Sequence, residues 1–142
     1  MKKISSWQFG DTKKEADKLL NLVLSGKKRA TSSLYDSYKR KKISLPKVGE
    51  KSIIKDSKNI PRCLIITTRV SIKSFGKITT SFASKEGEGN RSLNYWRKVH
   101  KKFFQKRLKK RGLEFNEDIL VVCEEFKVTK KFDSEVNKAE LF

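Results

Sequence analysis

Between positions 93 and 108 the chain places Leu93, Trp96, His100, Phe103, Phe104 and Leu108 at spacings of three and four. That period puts all six on one stripe of an α-helix. Arg97, Lys98, Lys101, Lys102, Lys106, Lys109 and Lys110 fill the remaining positions. One side of this helix is therefore aromatic and must be covered by the rest of the fold, while the other is strongly basic. Asn90 or Ser92 can cap its start. Gly112 can end it after a basic last turn, which suits the negative end of the helix dipole.

The segment feeding this helix is Glu86-Gly87-Glu88-Gly89-Asn90-Arg91-Ser92. Its two glycines free the backbone, so Glu86 and Glu88 can sit close to whatever the loop approaches. By spacing alone the two carboxylates read as a charged solvent loop. Arg91, at a helix start, suits an anion contact or an ion pair with Glu86 or Glu88. His100 reads as a packed core histidine rather than a general base. Trp96, Phe103 and Phe104 read as core rather than as a stacking platform for bases. The Gly-x-Gly lacks the rest of a dinucleotide fingerprint, and no strand closely precedes it.

The 142 residues suit one domain over 1–130, with 131–142 as an edge segment or tail. No run is apolar enough for a membrane span, and the start lacks the apolar core of a signal peptide, so the cytoplasm is the expected compartment. Cys63 and Cys123 sit in separate apolar runs with no Cys-x-x-Cys, which argues for buried thiols and against structural zinc. No cofactor is expected, and a divalent cation stays an open alternative. Thirty-five basic against sixteen acidic residues leave a net charge of +19. Such a charge is an electrostatic footprint for a polyanion, with RNA or a nucleotide the first candidate partner. Most of these cations are lysines, which speaks against sequence-specific reading, and lysine-rich surfaces can also be inert.

Thr12 and Glu15 have capping-box spacing, and Ala16, Leu19, Leu20 and Val23 follow on one stripe, so a helix is predicted from this cap to Gly26. Next comes Gly26-Lys27-Lys28-Arg29-Ala30-Thr31-Ser32-Ser33, read as a basic turn running into hydroxyl residues. It is not a P-loop. Read by residue type alone, Lys28 is a solvated charge. A short helix is predicted from Ser33 to Lys42, then a strand over 51–55, a turn at Asp56–Pro61 and a returning strand from Cys63 to Ile72. The first half of that strand, without alternation, reads as buried on both faces. Ser81 to Lys85 reads as a short helix delivering the Glu86 loop, and Ile119 to Val128 as a closing strand. The sum is an α+β domain on a small, partly closed barrel.

Four stretches together resemble the ASCH family, the activating-signal-cointegrator homology domains of the PUA-like superfamily. They are Trp7-Gln8-Phe9-Gly10-Asp11; Gly26-x-Lys28-x-x-Thr31; Glu86-Gly87-Glu88-Gly89-x-Arg91-Ser92-Leu93-x-Tyr95-Trp96-Arg97-x-x-His100-x-x-Phe103-Phe104; and Val121-Val122-Cys123-Glu124-x-Phe126. The resemblance spans roughly Trp7 to Val128. It implies a PUA-like small mixed or antiparallel β-barrel decorated by helices, with a cleft lined by the Gly-x-Lys-x-x-Thr turn. It also implies contact with RNA and, in some members, hydrolysis: ribonucleases, or amidohydrolases acting on N4-acylated cytidine. Carried over by motif, the catalytic trio is Lys28, Thr31 and Glu86, with Glu88 competing for the role of Glu86. Ser33, Arg91, Glu88, Lys98, Lys101 and Lys102 are the binding candidates. Asn90 stands where the longer branch of the family usually has Asp. The helix with Tyr95-Trp96-Arg97 and His100 places the chain in that branch; the cytidine amidohydrolases lack it, and an adaptor without catalysis is the third alternative. The trio is expected to meet in a cleft between the Lys28 turn and the Glu86 loop, with Lys28 adding little to folding.

Overall fold

The structure, a computed structural model, describes residues 4–132. Five strands form one mixed sheet in the order β1-β3-β4-β5-β2, comprising β1 (Ser5–Trp7), β2 (Ala30–Leu34), β3 (Lys51–Lys55), β4 (Pro61–Ser74) and β5 (Leu120–Lys131). Only β1 and β3 run parallel; the other pairings are antiparallel. The sheet curls into a half-barrel, helped by register shifts at Leu64/Ile65 and Thr67/Arg69, since a bulge bends its strand and increases local twist. Among the described residues four α-helices decorate it: α1 (Lys13–Leu24), α2 (Tyr35–Lys41), α3 (Thr80–Glu86) and α4 (Leu93–Lys110). This is the expected α+β, PUA-like architecture.

The capping signals act where the sequence put them. Thr12 accepts a hydrogen bond from the Glu15 amide at the start of α1, and Ser92, not Asn90, accepts from Tyr95 at the start of α4. Each face of the sheet carries its own core because strand side chains alternate. On one face, Leu20 and Val23 of α1 pack with Ile54, Cys63, Ile65 and Phe126. On the other, Phe82 and Ala83 of α3 and Trp96, Phe104 and Leu108 of α4 cover Ala30, Leu34, Val121 and Cys123. Both thiols are free and buried.

Three sequence expectations are corrected. The short strands β1 and β2 were not foreseen, and residues 30–34 are strand rather than turn. The first half of β4 is not buried on both faces: Cys63, Ile65 and Thr67 are buried while Leu64 and Ile66 are half-buried, because β4 has a helical layer on one side there. The last strand extends to Lys131, which pairs with Cys63. Of the expected edge segment or tail over 131–142, residues 133–142 lie outside the described residues.

Candidate functional site

The turn after α1 and the end of α3 are pressed together. The Arg29 amide donates to Lys85 O at 2.7 Å, and Gly87 sits against the Lys27–Lys28 peptide. A Cβ on Gly87 would lie 2.1 Å from Lys27 O, and its φ is +75°, so only glycine allows this approach. The approach brings Glu86 onto Lys28, and both are buried, with relative exposures of 1% and 2%.

Lys28 Nζ donates to Glu86 Oε1 at 2.9 Å, Glu86 O at 3.3 Å and Glu88 Oε2 at 3.3 Å. The other carboxylate oxygen of Glu86 accepts from Ser32 Oγ at 2.7 Å and from Trp96 Nε1, and lies 3.2 Å from His100 Nε2. His100 Nδ1 lies 2.9 Å from Trp96 O. Both imidazole nitrogens thus face acceptors, an arrangement that favours the doubly protonated, cationic ring. It stacks on the Trp96 ring at 4.3 Å. Two cations, Lys28 and His100, therefore meet two carboxylates, Glu86 and Glu88.

The proton affinities follow. Burial disfavours the Glu86 carboxylate, but Lys28 and His100 outweigh it and hold its pKa below the usual range. Burial likewise opposes the Lys28 ammonium, and Glu86 and Glu88 reverse this, raising its pKa. For His100 the cost of burial is overcome by Glu86 first, and the pKa again rises. Lys28, Glu86 and His100 are each driven toward the charged form.

Of the trio expected from the sequence, the structure brings Lys28 and Glu86 together and leaves Thr31 out. Thr31 pairs with Glu124 across the sheet, one residue out of phase with Ser32, so it points to the opposite face. The hydroxyl on Glu86 belongs to Ser32. Glu88 does not replace Glu86 but joins it as a second partner of Lys28. Ser33 also faces away, with its Oγ 2.8 Å from Tyr38 Oη. Arg91 is exposed at φ +62° and forms no ion pair with Glu86 or Glu88 among the described residues. Lys98, Lys101 and Lys102 are all exposed on α4. His100 and Trp96 are indeed core residues, yet they also bind Glu86, which sequence spacing did not reveal. Reading residues 30–34 with period two would have grouped Ser32 with Ala30 and Leu34. Glu86, Glu88 and His100 each bring a ligand atom within 4.8 Å of the others. The Lys28 ammonium bonds to both of those carboxylates, so a cation bound there would compete with it.

The Lys28 turn and the Glu86 loop are in direct contact. A cleft of about 440 Å³ lies on the other side of the turn, against the second half of β5. Ser25, Arg29, Lys127, Thr129, Lys130 and Lys131 supply its polar lining, and Lys28 is at its wall. Arg29, Lys127, Lys130 and Lys131 are exposed, and among the described residues no carboxylate lines it.

The ASCH domain family model matches residues 5–130. The chain belongs to the ASCH family. This ASCH domain superposes on the crystal structure of an ASCH domain from Lactobacillus crispatus JV V101 with a TM-score of 0.84 and 36% identity, covering 88% of this chain and 79% of that one. A crystal structure of a protein from Enterococcus faecalis V583 gives a TM-score of 0.84 and 39% identity, over 91% of this chain and 78% of that one. No curated protein matches the chain. Among the described residues, no helix of the domain is long and apolar enough to cross a membrane.

Proposed function

We propose that this ASCH domain binds RNA by its phosphate backbone, in the cleft between the turn after α1 and the second half of β5. The observation that carries the reading is the cleft's lining: four exposed cations, two hydroxyls and no carboxylate among the described residues. Such a groove tracks a polyanion. Its one aromatic residue, Phe126, is buried in the core, so bases find no stacking surface there and recognition rests on charge rather than sequence. The exposed lysines of α4, including Lys98, Lys101 and Lys102, form a second set of phosphate contacts.

Hydrolysis by the Lys28–Glu86 cluster is not part of this reading. A general acid or base works best with a pKa near the operating pH, and here Lys28 is raised while Glu86 is lowered. Glu86 is also fully engaged by Lys28, Ser32, Trp96 and His100. The cluster instead fixes the turn that forms one wall of the cleft.

The test is titration of a labelled single-stranded RNA at several salt concentrations. Affinity should fall with salt, each phosphate contact adding about 0.7 to the log–log slope. Arg29→Glu with Lys127→Glu should weaken binding to all sequences alike, and the RNA should remain intact throughout. Wild-type affinity in that double variant would remove the cleft from the interface. Turnover of the RNA, or of an N4-acylated cytidine, that is lost in Ser32→Ala would return the cluster to catalysis.

A further inference from the structure

A second, smaller pocket lies on the α3 side of the sheet. It has a volume of about 160 Å³, and Arg69, Ser71 and Lys73 of β4, Thr79, Ser81 and Lys85 at α3, and Cys123 and Glu125 of β5 line it. Cross-strand register explains the gathering: Arg69 pairs with Glu125, Ser71 with Cys123 and Lys73 with Val121, and directly paired residues point to the same face. We propose that this pocket binds a phosphate monoester, the terminal phosphate of a nucleic acid or nucleotide.

Charge and size both select that group. Three cations stand against one carboxylate, and a monoester carries about two negative charges at neutral pH where a backbone diester carries one. Glu125 does not cancel the site. It holds Lys85 Nζ at 2.9 Å and lies 4.0 Å from Arg69 Nε, too far for a hydrogen bond, so most N–H donors of both cations stay unused. The Thr79 hydroxyl oxygen accepts from the Phe82 amide, so its own proton is available to donate, beside the hydroxyls of Ser71 and Ser81. Cys123 takes no chemical part, because burial pushes its pKa up to about 12 and keeps the thiol protonated and weakly nucleophilic. Ligand pockets for whole small molecules run to about 300–1,000 Å³. This one has room for the phosphate group, with the rest of the ligand outside.

The experiment follows backbone amide chemical shifts as inorganic phosphate is added, then compares oligoribonucleotides of one sequence bearing a 5′ phosphate, a 3′ phosphate or neither. Phosphate should shift the amides of Ser71, Lys73, Thr79 and Ser81. A terminally phosphorylated oligomer should bind on the order of tenfold more tightly than its unphosphorylated counterpart, the worth of one charge-assisted hydrogen bond. Arg69→Gln with Lys73→Gln should abolish both effects without loss of fold, since neither side chain is in the core. Shifts with inorganic phosphate but no preference for a phosphorylated end would retain the site and assign it to free phosphate or a mononucleotide. Unmoved amides together with equal affinity for all three oligomers would overturn the proposal. The inorganic phosphate titration does not depend on RNA entering the larger cleft, so either reading can fail alone.

Discussion

The buried cluster around Glu86 and the lysine face of α4 are built from the same charged groups and do opposite work. In the cluster Lys28, Glu86 and His100 are out of water and are held by partners at fixed distances, so losing one partner strands another. On α4, Lys98, Lys101, Lys102, Lys106, Lys109 and Lys110 are all exposed, and water replaces any contact they lose. A buried pair whose partner is removed typically costs about 3–5 kcal/mol, whereas exposed substitutions usually stay within about 0.5 kcal/mol. Charge in this chain therefore has two registers: one is buried, holds shape and is insensitive to salt, and the other faces water and is screened by salt.

The largest effect should come from breaking the pair. Lys28→Met leaves Glu86 buried without its ammonium and should cost about 3–5 kcal/mol in urea unfolding, contrary to the expectation from sequence that a cleft lysine adds little to folding. A loss below about 0.5 kcal/mol would mean that the two regions do not differ in kind.

A pH series sharpens the comparison. The His100 pKa is raised from its ordinary 6.5, so its stabilisation is fully present below that value and is lost as pH rises through the folded pKa. The Glu86 pKa is lowered from its ordinary 4.5, so its contribution is present above that value and is lost as pH falls toward the folded one. Both are in force between those two ordinary values. His100→Gln should flatten the decline of stability on the alkaline side. An unchanged profile would show that the ring is neutral in the folded protein.

Two neighbouring hydroxyls give a smaller contrast. Ser32→Ala removes a hydrogen bond to a buried carboxylate and should cost about 1.5–3 kcal/mol. Thr31→Val, on the other face, should stay within about 0.5 kcal/mol. Equal costs would put Thr31 back beside Ser32.

The smallest change in stability belongs to α4. Lys98→Glu, Lys102→Glu and Lys109→Glu together should leave unfolding within about 0.5 kcal/mol of wild type while weakening RNA binding for every sequence and reducing its salt slope. Unaltered affinity in this variant would take the helix out of the interface.

What could be read from the sequence was what local chemistry writes. The caps at Thr12 and Ser92, the stripe from Trp96 to Leu108 and the strand over 51–55 follow from spacing and side-chain type, and the motif set from Trp7 to Phe126 identified the family. The pairing of Lys28 with Glu86 came from that motif, because contact between residues 58 positions apart leaves no periodic trace. Two things stayed hidden for the same reason. The strand β2 is five residues of mostly small hydroxyl side chains, too short and too polar to show alternation, so nothing local set Ser32 against the Thr31 that the family motif implied. His100 carries the helix period of a core residue, and that signal does not distinguish an apolar partner from a carboxylate. Nothing in the residues near Gly87 tells that the chain there touches Lys27 directly.

The most direct measurement of the division between shape and binding is RNA titration with the double variant Lys28→Met/Glu86→Gln. This change removes Lys28 and Glu86 together, so neither is left as an unpaired buried charge, and leaves every exposed cation in place. A folded variant that binds RNA with the wild-type affinity and salt slope is the predicted result. A variant that unfolds at the wild-type temperature yet no longer binds RNA would contradict the account, because Lys28 and Glu86 would then have to touch the ligand themselves.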